Sequence, residues 1–307
     1  MPITNEIVTE RAKALGFDLV GFARADILSD EVEKLESWLK NGYNAGMEYM
    51  EKNIDRRKDI GKILPGAMSV ISLAINYYSQ EKYSGDAENG KISRYAYNKD
   101  YHLIIRKKLE KLIAELRTID QEFFATPYID TGPVMDKVWA KRAGLGWIGK
   151  HTNLITTELG SWVFLATIIT NREFNYGRQT SDHCGSCSRC IDACPTNAII
   201  DEYIVDANRC ISYLTIENKG EIAPEFKGKF QGWLFGCDIC QEVCPWNIKL
   251  ASGTNELLFC ATNGNKELLL DKVLEMENIE FKRVFKDSPL LRARLKGLKR
   301  NASFLKP

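Results

Sequence analysis

The sequence predicts an α+β fold made of three consecutive regions. Helix-like and strand-like segments alternate along residues 1–175, as in a layered domain of helices and strands. All nine cysteines follow residue 183, so residues 176–250 are expected to form a small metal-binding domain. Residues 251–307 show a helical pattern and become strongly basic. We therefore expect domain boundaries near residues 175 and 250.

Periodicity predicts the elements of the first region. Apolar residues three or four positions apart indicate amphipathic helices, whereas short runs rich in β-branched and aromatic residues indicate strands. The predicted helices cover residues 6–16, 30–41, 101–116 and 133–142. The predicted strands cover residues 18–23, 69–77, 123–129 and 162–170. The last helix is expected to carry Pro133 at its first position, where a backbone N–H is not needed.

Composition and charge exclude several classes of protein. The chain has 307 residues, of which 44% are hydrophobic, and a formal net charge of +1, so nothing global indicates nucleic acid or membrane binding. Residues 1–16 are charged and lack the apolar stretch of a signal peptide. The longest mostly apolar stretch, residues 162–169, is too short to span a bilayer. The sequence therefore predicts a soluble, cytoplasmic protein.

Eight cysteines form two motifs typical of iron–sulfur proteins. The first, from Cys184 to Pro195, reads CxxCxxCxxxCP and matches the bacterial ferredoxin pattern. The second, from Cys237 to Pro245, reads CxxCxxxCP, with Cys210 alone upstream. In such pairs the last cysteine of each run binds the cluster of the other motif. The predicted ligand sets of two [4Fe–4S] clusters are therefore Cys184, Cys187, Cys190 and Cys244, and Cys194, Cys210, Cys237 and Cys240.

Zinc is the alternative, because CxxC pairs also bind zinc. Zinc sites usually pair two CxxC units across a spacer, whereas an uninterrupted four-cysteine run followed by proline is more specific for iron–sulfur clusters. Because eight thiolates satisfy two clusters, Cys260 is predicted to be a plain thiol and His183 a loop residue. Two clusters in a small domain move electrons, so the chemistry is expected in the first region.

Two motifs in the first region are candidates for that chemistry. Asp130 ends a predicted strand in the string DTGP, so it is either a proton donor with a pKa raised by partial burial, or a cap of the following helix. Gly144, Gly146 and Gly149 form GxGxxG, but a predicted helix precedes them, which argues against a dinucleotide site. We expect these glycines to form a tight loop that lets the backbone approach a flat ligand.

Several strings along the chain resemble epoxyqueuosine reductases. The strings are LPGA at 64–67, DTGP at 130–133, AGLGWIGKHTN at 143–153, the first cysteine run, CISYLT at 210–215 and GCDICQEVCP at 236–245. The resemblance covers residues 5–305 in the same order. Many proteins share the cysteine motifs, but their combination with DTGP and AGLGWIGKHTN is specific.

The resemblance implies a fold, cofactors and a reaction. It implies a nitroreductase-like cobalamin-binding domain followed by a ferredoxin-like domain with two [4Fe–4S] clusters, as in the related reductive dehalogenases. The cobalamin is expected to be base-off, without a protein ligand, and none of the histidines (His102, His151 and His183) lies in a DxHxxG pattern. The implied reaction reduces epoxyqueuosine to queuosine at the wobble position of tRNA.

The resemblance also implies roles for individual residues. An external low-potential donor, a flavodoxin or ferredoxin, is expected to load the clusters, which reduce the cobalt. The reduced cobalt then attacks the epoxide while Asp130 supplies a proton. The residues expected to contact cobalamin are Asp130, Arg57, Ser93, Lys150, Asn153 and Ser212. For Arg57, a solvated charge in the run 55–59 is the alternative. The family also suggests a monomer.

The last region carries a local positive charge. Residues 281–307 contain nine Lys or Arg and one acidic residue. A solvated helix face is the alternative, but a tRNA substrate favours contacts with phosphates here. The residues predicted to bind tRNA are Arg292, Arg294, Lys296, Lys299 and Arg300. Longer family members continue into HEAT-like repeats, so part of their tRNA-facing surface is expected to be missing from this sequence.

Two other functions remain as alternatives at this point. A corrinoid-dependent reductive dehalogenase usually carries a twin-arginine signal and associates with membranes, and neither feature is visible in the sequence. A non-catalytic electron carrier that reactivates corrinoid proteins would bind no tRNA and would give Asp130 no role.

Overall fold

The computed structural model describes residues 2–261 and 265–306, which form a mixture of helices and strands, as predicted. The helices are α1 Asn5–Ala14, α2 Ser29–Lys40, α3 Ile54–Lys58, α4 Tyr101–Ile119, α5 Asp136–Arg142, α6 Arg189–Asp192, α7 Ile211–Ile216, α8 Ile239–Glu242, α9 Pro245–Leu250, α10 Leu270–Glu275, α11 Asn278–Val284 and α12 Arg294–Leu305. The strands are β1 Leu19–Arg24, β2 Ser69–Asn76, β3 Asn89–Ile92, β4 Ala125–Tyr128, β5 Trp147–Ile148, β6 Leu154–Ile155, β7 Val163–Thr170, β8 Ile199–Asp201, β9 Ile204–Val205, β10 Trp233–Phe235 and β11 Glu267–Leu269. No helix within these ranges is long and apolar enough to cross a lipid bilayer.

An antiparallel sheet in the order β1–β2–β7–β4 forms the centre of the first region. Its second strand, β2, is buried at every position because helices cover both faces. On one face, Ile71 and Leu73 pack with α1 and α4. On the other face, Val70 packs with Val32 of α2 and Trp139 of α5. The edge strand β4 contains Pro127, which an edge position tolerates.

All eight predicted elements of the first region are present, and their ends lie within three residues of the predicted ends. The largest differences are the end of α4 and the start of α5, which begins at Asp136 and leaves Pro133 outside the helix. Met135 occupies the N-cap position and makes no side-chain capping bond. The interpretation of Asp130 as a helix cap is therefore wrong, because a separate turn places it six residues before the helix.

A second sheet joins all three predicted regions. Strand β3 lies between β10, to which it is parallel, and β11, to which it is antiparallel. Strand β3 was not predicted, because the string NGKI has no apolar run. The segment containing β11 was predicted to be helical, which is wrong. These strands form because residues far apart in the chain supply the hydrogen bonds, which no local pattern shows. The domain boundaries at 175 and 250 stay a prediction.

A buried ion pair attaches the cysteine-rich region to the first region. Arg94 Nη1 donates to Asp238 Oδ2 at 3.1 Å and to Glu242 Oε1 at 2.6 Å. The Asp238 carboxylate also accepts the Arg94 backbone N–H at 2.9 Å and the Ser93 hydroxyl. Arg94 and Asp238 are 8% and 1% exposed, so each charge has the several partners that burial requires.

We expect Arg94→Met to lower the free energy of unfolding by about 3–5 kcal/mol, because it leaves the Asp238 carboxylate buried without a counter-ion. Anaerobic urea unfolding, followed by tryptophan fluorescence, measures the change. The control is Arg106→Met, since Arg106 is exposed on α4. Equal destabilisation by both substitutions would show that the ion pair has no special role.

Candidate active site and cluster sites

The eight motif cysteines line two separate cavities. All nine cysteines of the chain are free of disulfide bonds. The larger cavity, of about 390 Å³, has in its wall Cys194, Cys210, Cys237 and Cys240. The smaller cavity, of about 190 Å³, has in its wall Cys184, Cys187, Cys190 and Cys244. The structure thus brings together the same two sets of four thiols that the sequence predicts as ligands.

Two short helices explain this division. In the first motif, Cys184, Cys187 and Cys190 lie before or within α6, and Cys194 follows its end. The second motif repeats this arrangement around α8, which Cys244 follows. In each motif the residue just before the helix accepts two backbone N–H groups of the helix with its carbonyl oxygen. This residue is Ser188 in the first motif and Asp238 in the second. Past each helix, the last cysteine of each motif lines the cavity of the other motif.

The larger cavity also contains residues of the first region. Ser93, Asp130 and Asn153 line it, and so does Ser212 from α7. Asn153 Oδ1 accepts a hydrogen bond from Lys137 Nζ at 2.9 Å. The cavity therefore contains four of the six residues that the resemblance associates with cobalamin.

The other two residues, Arg57 and Lys150, lie outside the wall of the larger cavity. Arg57 is 7% exposed and donates to the carbonyls of Tyr49 and Lys52 at 3.3 and 3.4 Å, so its interpretation as a solvated charge is wrong. Lys150 lines the smaller cavity, and its Nζ donates to Gly185 O at 2.6 Å. Both side chains bind backbone carbonyls of loops.

Asp130 lies in a tight turn just after β4. Its φ of +53° is in the left-handed region, which aspartate tolerates better than most residues, and the Thr131 N–H closes the turn on Ile129 O. The Tyr101 hydroxyl donates to Asp130 Oδ2 at 2.7 Å. Burial and the Asp130 charge raise the pKa of Tyr101, so this phenol stays protonated. The Asp130 side chain is 64% exposed, so the expected partial burial is absent here.

Two ionisable residues in the wall of the larger cavity were not identified as site residues from the sequence. Burial raises the pKa of Asp136 to about 7, although the hydrogen bond that the Thr167 hydroxyl donates to it lowers the pKa. Burial also lowers the pKa of His151 to about 4, so its ring is neutral at pH 7. His151 lines both cavities. The only sequence signal for either residue is its closeness to the strings DTGP and AGLGWIGKHTN.

The hydrogen bonds of His151 identify its tautomer. Nδ1 accepts the backbone N–H of Asn153 at 3.2 Å, so the proton of the neutral ring is on Nε2. That Nε2 is buried and has no partner among the residues that the structure describes. Buried donors without a partner are rare, so this Nε2–H is available to an acceptor on a bound ligand.

The glycines of AGLGWIGKHTN allow a close approach within the chain itself. A Cβ on Gly146 would lie 2.0 Å from the carbonyl oxygen of Ile155, and one on Gly149 would lie 2.5 Å from the Ile155 side chain. Strand β6 occupies the space beside Gly146 and Gly149, so packing within the chain already requires glycine at these two positions. The expectation of a flat ligand beside this loop stays a prediction. Helix α5 precedes the motif, which agrees with the absence of a dinucleotide fingerprint.

The predicted tRNA-binding residues differ in their surroundings. Arg292, Arg294 and Lys296 are exposed, and Arg292 pairs with Glu217. Arg292 also lies close enough to Asp130 for their charges to interact. Lys299 is half-buried. Arg300 binds three backbone carbonyls, of Leu214, Asn218 and Gly220, at 2.6–2.7 Å. Its guanidinium therefore connects α12 to the end of α7 and is not available for phosphates.

Family models match two segments of the chain. The model described as "Epoxyqueuosine reductase QueG, DUF1730" matches residues 57–131. The model described as "4Fe-4S double cluster binding domain" matches residues 183–247.

Curated relatives extend the similarity over the whole chain. The epoxyqueuosine reductase of Cellulophaga algicola is 45% identical over 305 residues, which are 98% of each chain. That of a Synechocystis strain is 44% identical and covers 89% of this chain and 94% of the relative.

Solved structures show the same relationship. A crystal structure of epoxyqueuosine reductase with an epoxyqueuosine-modified tRNA-Tyr stem loop has 33% identity and a TM-score of 0.91, over 98% of this chain and 80% of that one. A Bacillus subtilis epoxyqueuosine reductase, whose aspartate-bearing catalytic loop is swung out of the active site, has 32% identity and a TM-score of 0.90, over 98% and 80%. These findings confirm the predicted resemblance: the chain belongs to the epoxyqueuosine reductase family.

Proposed function

We propose that this protein reduces epoxyqueuosine to queuosine at the wobble position of tRNA, with cobalamin and two [4Fe–4S] clusters as cofactors and Asp130 as proton donor. The observation that carries the proposal is the larger cavity, which is lined by both Asp130 and four cysteines. Reductive removal of an epoxide oxygen consumes two electrons and two protons, so an electron source and a proton donor must meet at one place. Family membership and the tRNA complex of a relative support the substrate.

The chemistry of the cysteines fits two iron–sulfur clusters. Each cavity contains four thiols and draws them from both motifs, and thiolates are the ligands that such clusters require. We assign one cluster to each cavity. The cluster of the larger cavity is then the one beside Asp130. The other is the entry point for an external low-potential donor, a flavodoxin or ferredoxin.

The wall of the larger cavity also fits cobalamin. The buried His151 Nε2–H lacks an acceptor, and the Asn153 amide and Ser212 hydroxyl lie in the same wall, where the amide side chains of a corrin would meet them. Because the His151 Nε2 carries the ring proton, it has no lone pair for cobalt, which supports a base-off cofactor without a protein ligand. When bound, cobalamin supplies a strongly nucleophilic reduced metal.

Asp130 has the environment of a mobile proton donor. The Tyr101 hydroxyl binds one carboxylate oxygen, Oδ2, which leaves Oδ1 available to carry a proton to the leaving epoxide oxygen. The left-handed turn and the exposed side chain let this loop change position when substrate binds. Such a movement agrees with the swung-out loop of the Bacillus subtilis relative.

The exposed cations of the last region are placed to bind the tRNA backbone. Arg292 lies near Asp130, and Arg294 and Lys296 follow it at the start of α12. Phosphate contacts here would hold the substrate without reading its sequence. We include the half-buried Lys299 in this surface and exclude Arg300. We further propose that the enzyme acts as a cytoplasmic monomer.

The alternatives are less well supported. A carrier without catalytic activity gives no reason for Asp130 to share a cavity with four cysteines. A dehalogenase is less well supported because the curated relatives at 44–45% identity are named epoxyqueuosine reductases.

We expect Asp130→Asn to reduce queuosine formation by about 10²–10⁴-fold, because an amide cannot donate the proton. The assay is anaerobic turnover of epoxyqueuosine-containing tRNA with cobalamin and a reductant. Iron content should stay unchanged, because Asp130 is not a predicted cluster ligand. The matched control is Asp26→Asn, since Asp26 is exposed far from the cavity wall. If Asp130→Asn keeps normal activity, Asp130 is not the proton donor.

We expect about eight irons per chain, and about four after loss of one cluster. Because the ligation is crossed, Cys194→Ala should give the same electron paramagnetic resonance spectrum as Cys237→Ala, and Cys244→Ala the same as Cys187→Ala. Cys260→Ala is the control and should keep all the iron. A Cys194→Ala spectrum that matches Cys187→Ala would contradict the assignment, and zinc in place of iron would reject both clusters.

We expect the double substitution Arg294→Ala with Lys296→Ala to weaken tRNA binding and to flatten its salt dependence. Each lost phosphate contact should lower the slope of log affinity against log salt by about 0.7–0.9. Binding isotherms at several salt concentrations measure this slope. The control is Lys107→Ala with Lys111→Ala on exposed positions of α4. An unchanged slope would place the tRNA elsewhere.

A further inference from the structure

A histidine at the start of α4 lies between two carboxylates. His102 Nδ1 lies 2.7 Å from Asp100 Oδ1, and its Nε2 lies 3.8 Å from Asp130 Oδ2. Asp100 is the N-cap of α4 and also accepts the backbone N–H of His102 at 2.9 Å. The imidazole is therefore held in place by the helix that carries it, with one nitrogen on a fixed carboxylate and the other facing Asp130.

The nitrogen that faces Asp130 is free for proton transfer. Although burial opposes it, hydrogen bonding from His102 lowers the pKa of Asp100, so this carboxylate is ionised and accepts the Nδ1–H. Neutral His102 then has its lone pair on Nε2, and protonated His102 carries its second proton there. Within the part of the chain that the structure describes, this buried Nε2 has no hydrogen-bond partner.

The groups around His102 come from three elements. Its own helix contributes Asp100 and the Tyr101 ring, which stacks on the imidazole at 4.1 Å. The turn after β4 contributes Asp130. The 3₁₀ helix Pro289–Ala293 contributes Arg292, whose charge interacts with both carboxylates. Two carboxylates and one guanidinium therefore surround the imidazole.

The proposed reaction needs such a group. Conversion of an epoxide into an alkene and water takes two electrons, supplied by the low-potential donor, and two protons. Asp130 delivers one proton at a time, so it must be reprotonated within each cycle. A bound nucleotide would cover the Asp130 carboxylate and exclude the water that reaches it in the free protein, where it is 64% exposed.

We propose that His102 is a positioning and relay residue that returns a proton to Asp130 within each catalytic cycle. The Nε2–H bond of His102 breaks as an O–H bond forms on Asp130 Oδ1, the oxygen that Tyr101 leaves free, after the carboxylate, whose Oδ2 lies 3.8 Å from Nε2, turns to bring Oδ1 within reach. His102 regains its proton on Nε2 after the product leaves and movement of the Asp130 loop admits water, because Nε2 is buried here although the side chain as a whole is 21% exposed. Asp100 keeps the ring oriented and stabilises its charged form. This inference rests on the proposed function, because it concerns the second proton of that reaction.

The decisive substitution is His102→Gln, whose amide still reaches Asp100 but cannot carry a proton. We expect kcat to fall by about 10²-fold while KM for the tRNA is unchanged. The wild-type rate should decrease with rising pH as the relay loses its proton. The variant should lose this dependence. Imidazole in the buffer should restore activity to His102→Gly.

The control on the same helix is Lys107→Gln, an exposed position, which should behave as the wild type. The helix cap is Asp100, so His102→Gln leaves it intact. A kcat equal to the wild-type value would overturn the proposal. So would a reduced kcat with an unchanged pH profile and no rescue by imidazole, because that pattern indicates a merely structural role.

A second measurement does not depend on turnover. The chain has only three histidines, so ¹⁵N-histidine spectra of the cluster-loaded protein are simple to assign. The proposal predicts the Nδ1–H tautomer for His102, and its loss in Asp100→Asn. An Nε2–H tautomer in the wild type overturns the relay. If the wild type forms no queuosine, the proposed function fails. The tautomer of His102 can still be measured in that case, so it tests the relay independently of turnover.

Discussion

The buried ion pair between Arg94 and Asp238 is the interaction on which the site depends. Asp238 lies between two cysteines of the second motif, and Arg94 follows Ser93, which lines the larger cavity from the first region. The pair therefore holds the cysteine loop against the domain that carries Asp130. A buried pair adds little net stability, but removal of one partner is costly. Its main contribution is to fix the position of the cysteine loop relative to the domain that carries Asp130.

That position places four of the proposed cluster ligands and the proposed proton donor at one cavity. The crossed cysteine sets occupy neighbouring cavities, and His151 lines both of them. On the other side, the turn after β4 presents Asp130, with Tyr101 and His102 of α4 next to it. Neither half is sufficient for a reductive reaction alone, because electrons and protons have to arrive at the same atoms.

Charge and strain have distinct roles around the cavity. Burial keeps His151 neutral and brings the pKa of Asp136 to about 7, so neither residue places a full, permanent charge beside the cofactor sites. Asp130, by contrast, is exposed and lies in a left-handed turn. The fixed groups belong to helices and to the β5–β6 hairpin, whereas the group proposed to move lies in a loop.

Local pattern alone was enough to predict the cysteine sets and the periodic helices and strands of the first region, because spacing and periodicity are properties of neighbouring residues. It left Asp130 open between a proton donor and a helix cap, and the family resemblance supplied its expected role. The tertiary structure decided what depends on residues far apart. It formed β3 from a string without a strand pattern, directed Arg57 and Arg300 to backbone carbonyls, and brought His102 to Asp130. Hydrogen-bond partners and burial come from the packing of distant segments, so no reading of the local sequence could reveal them.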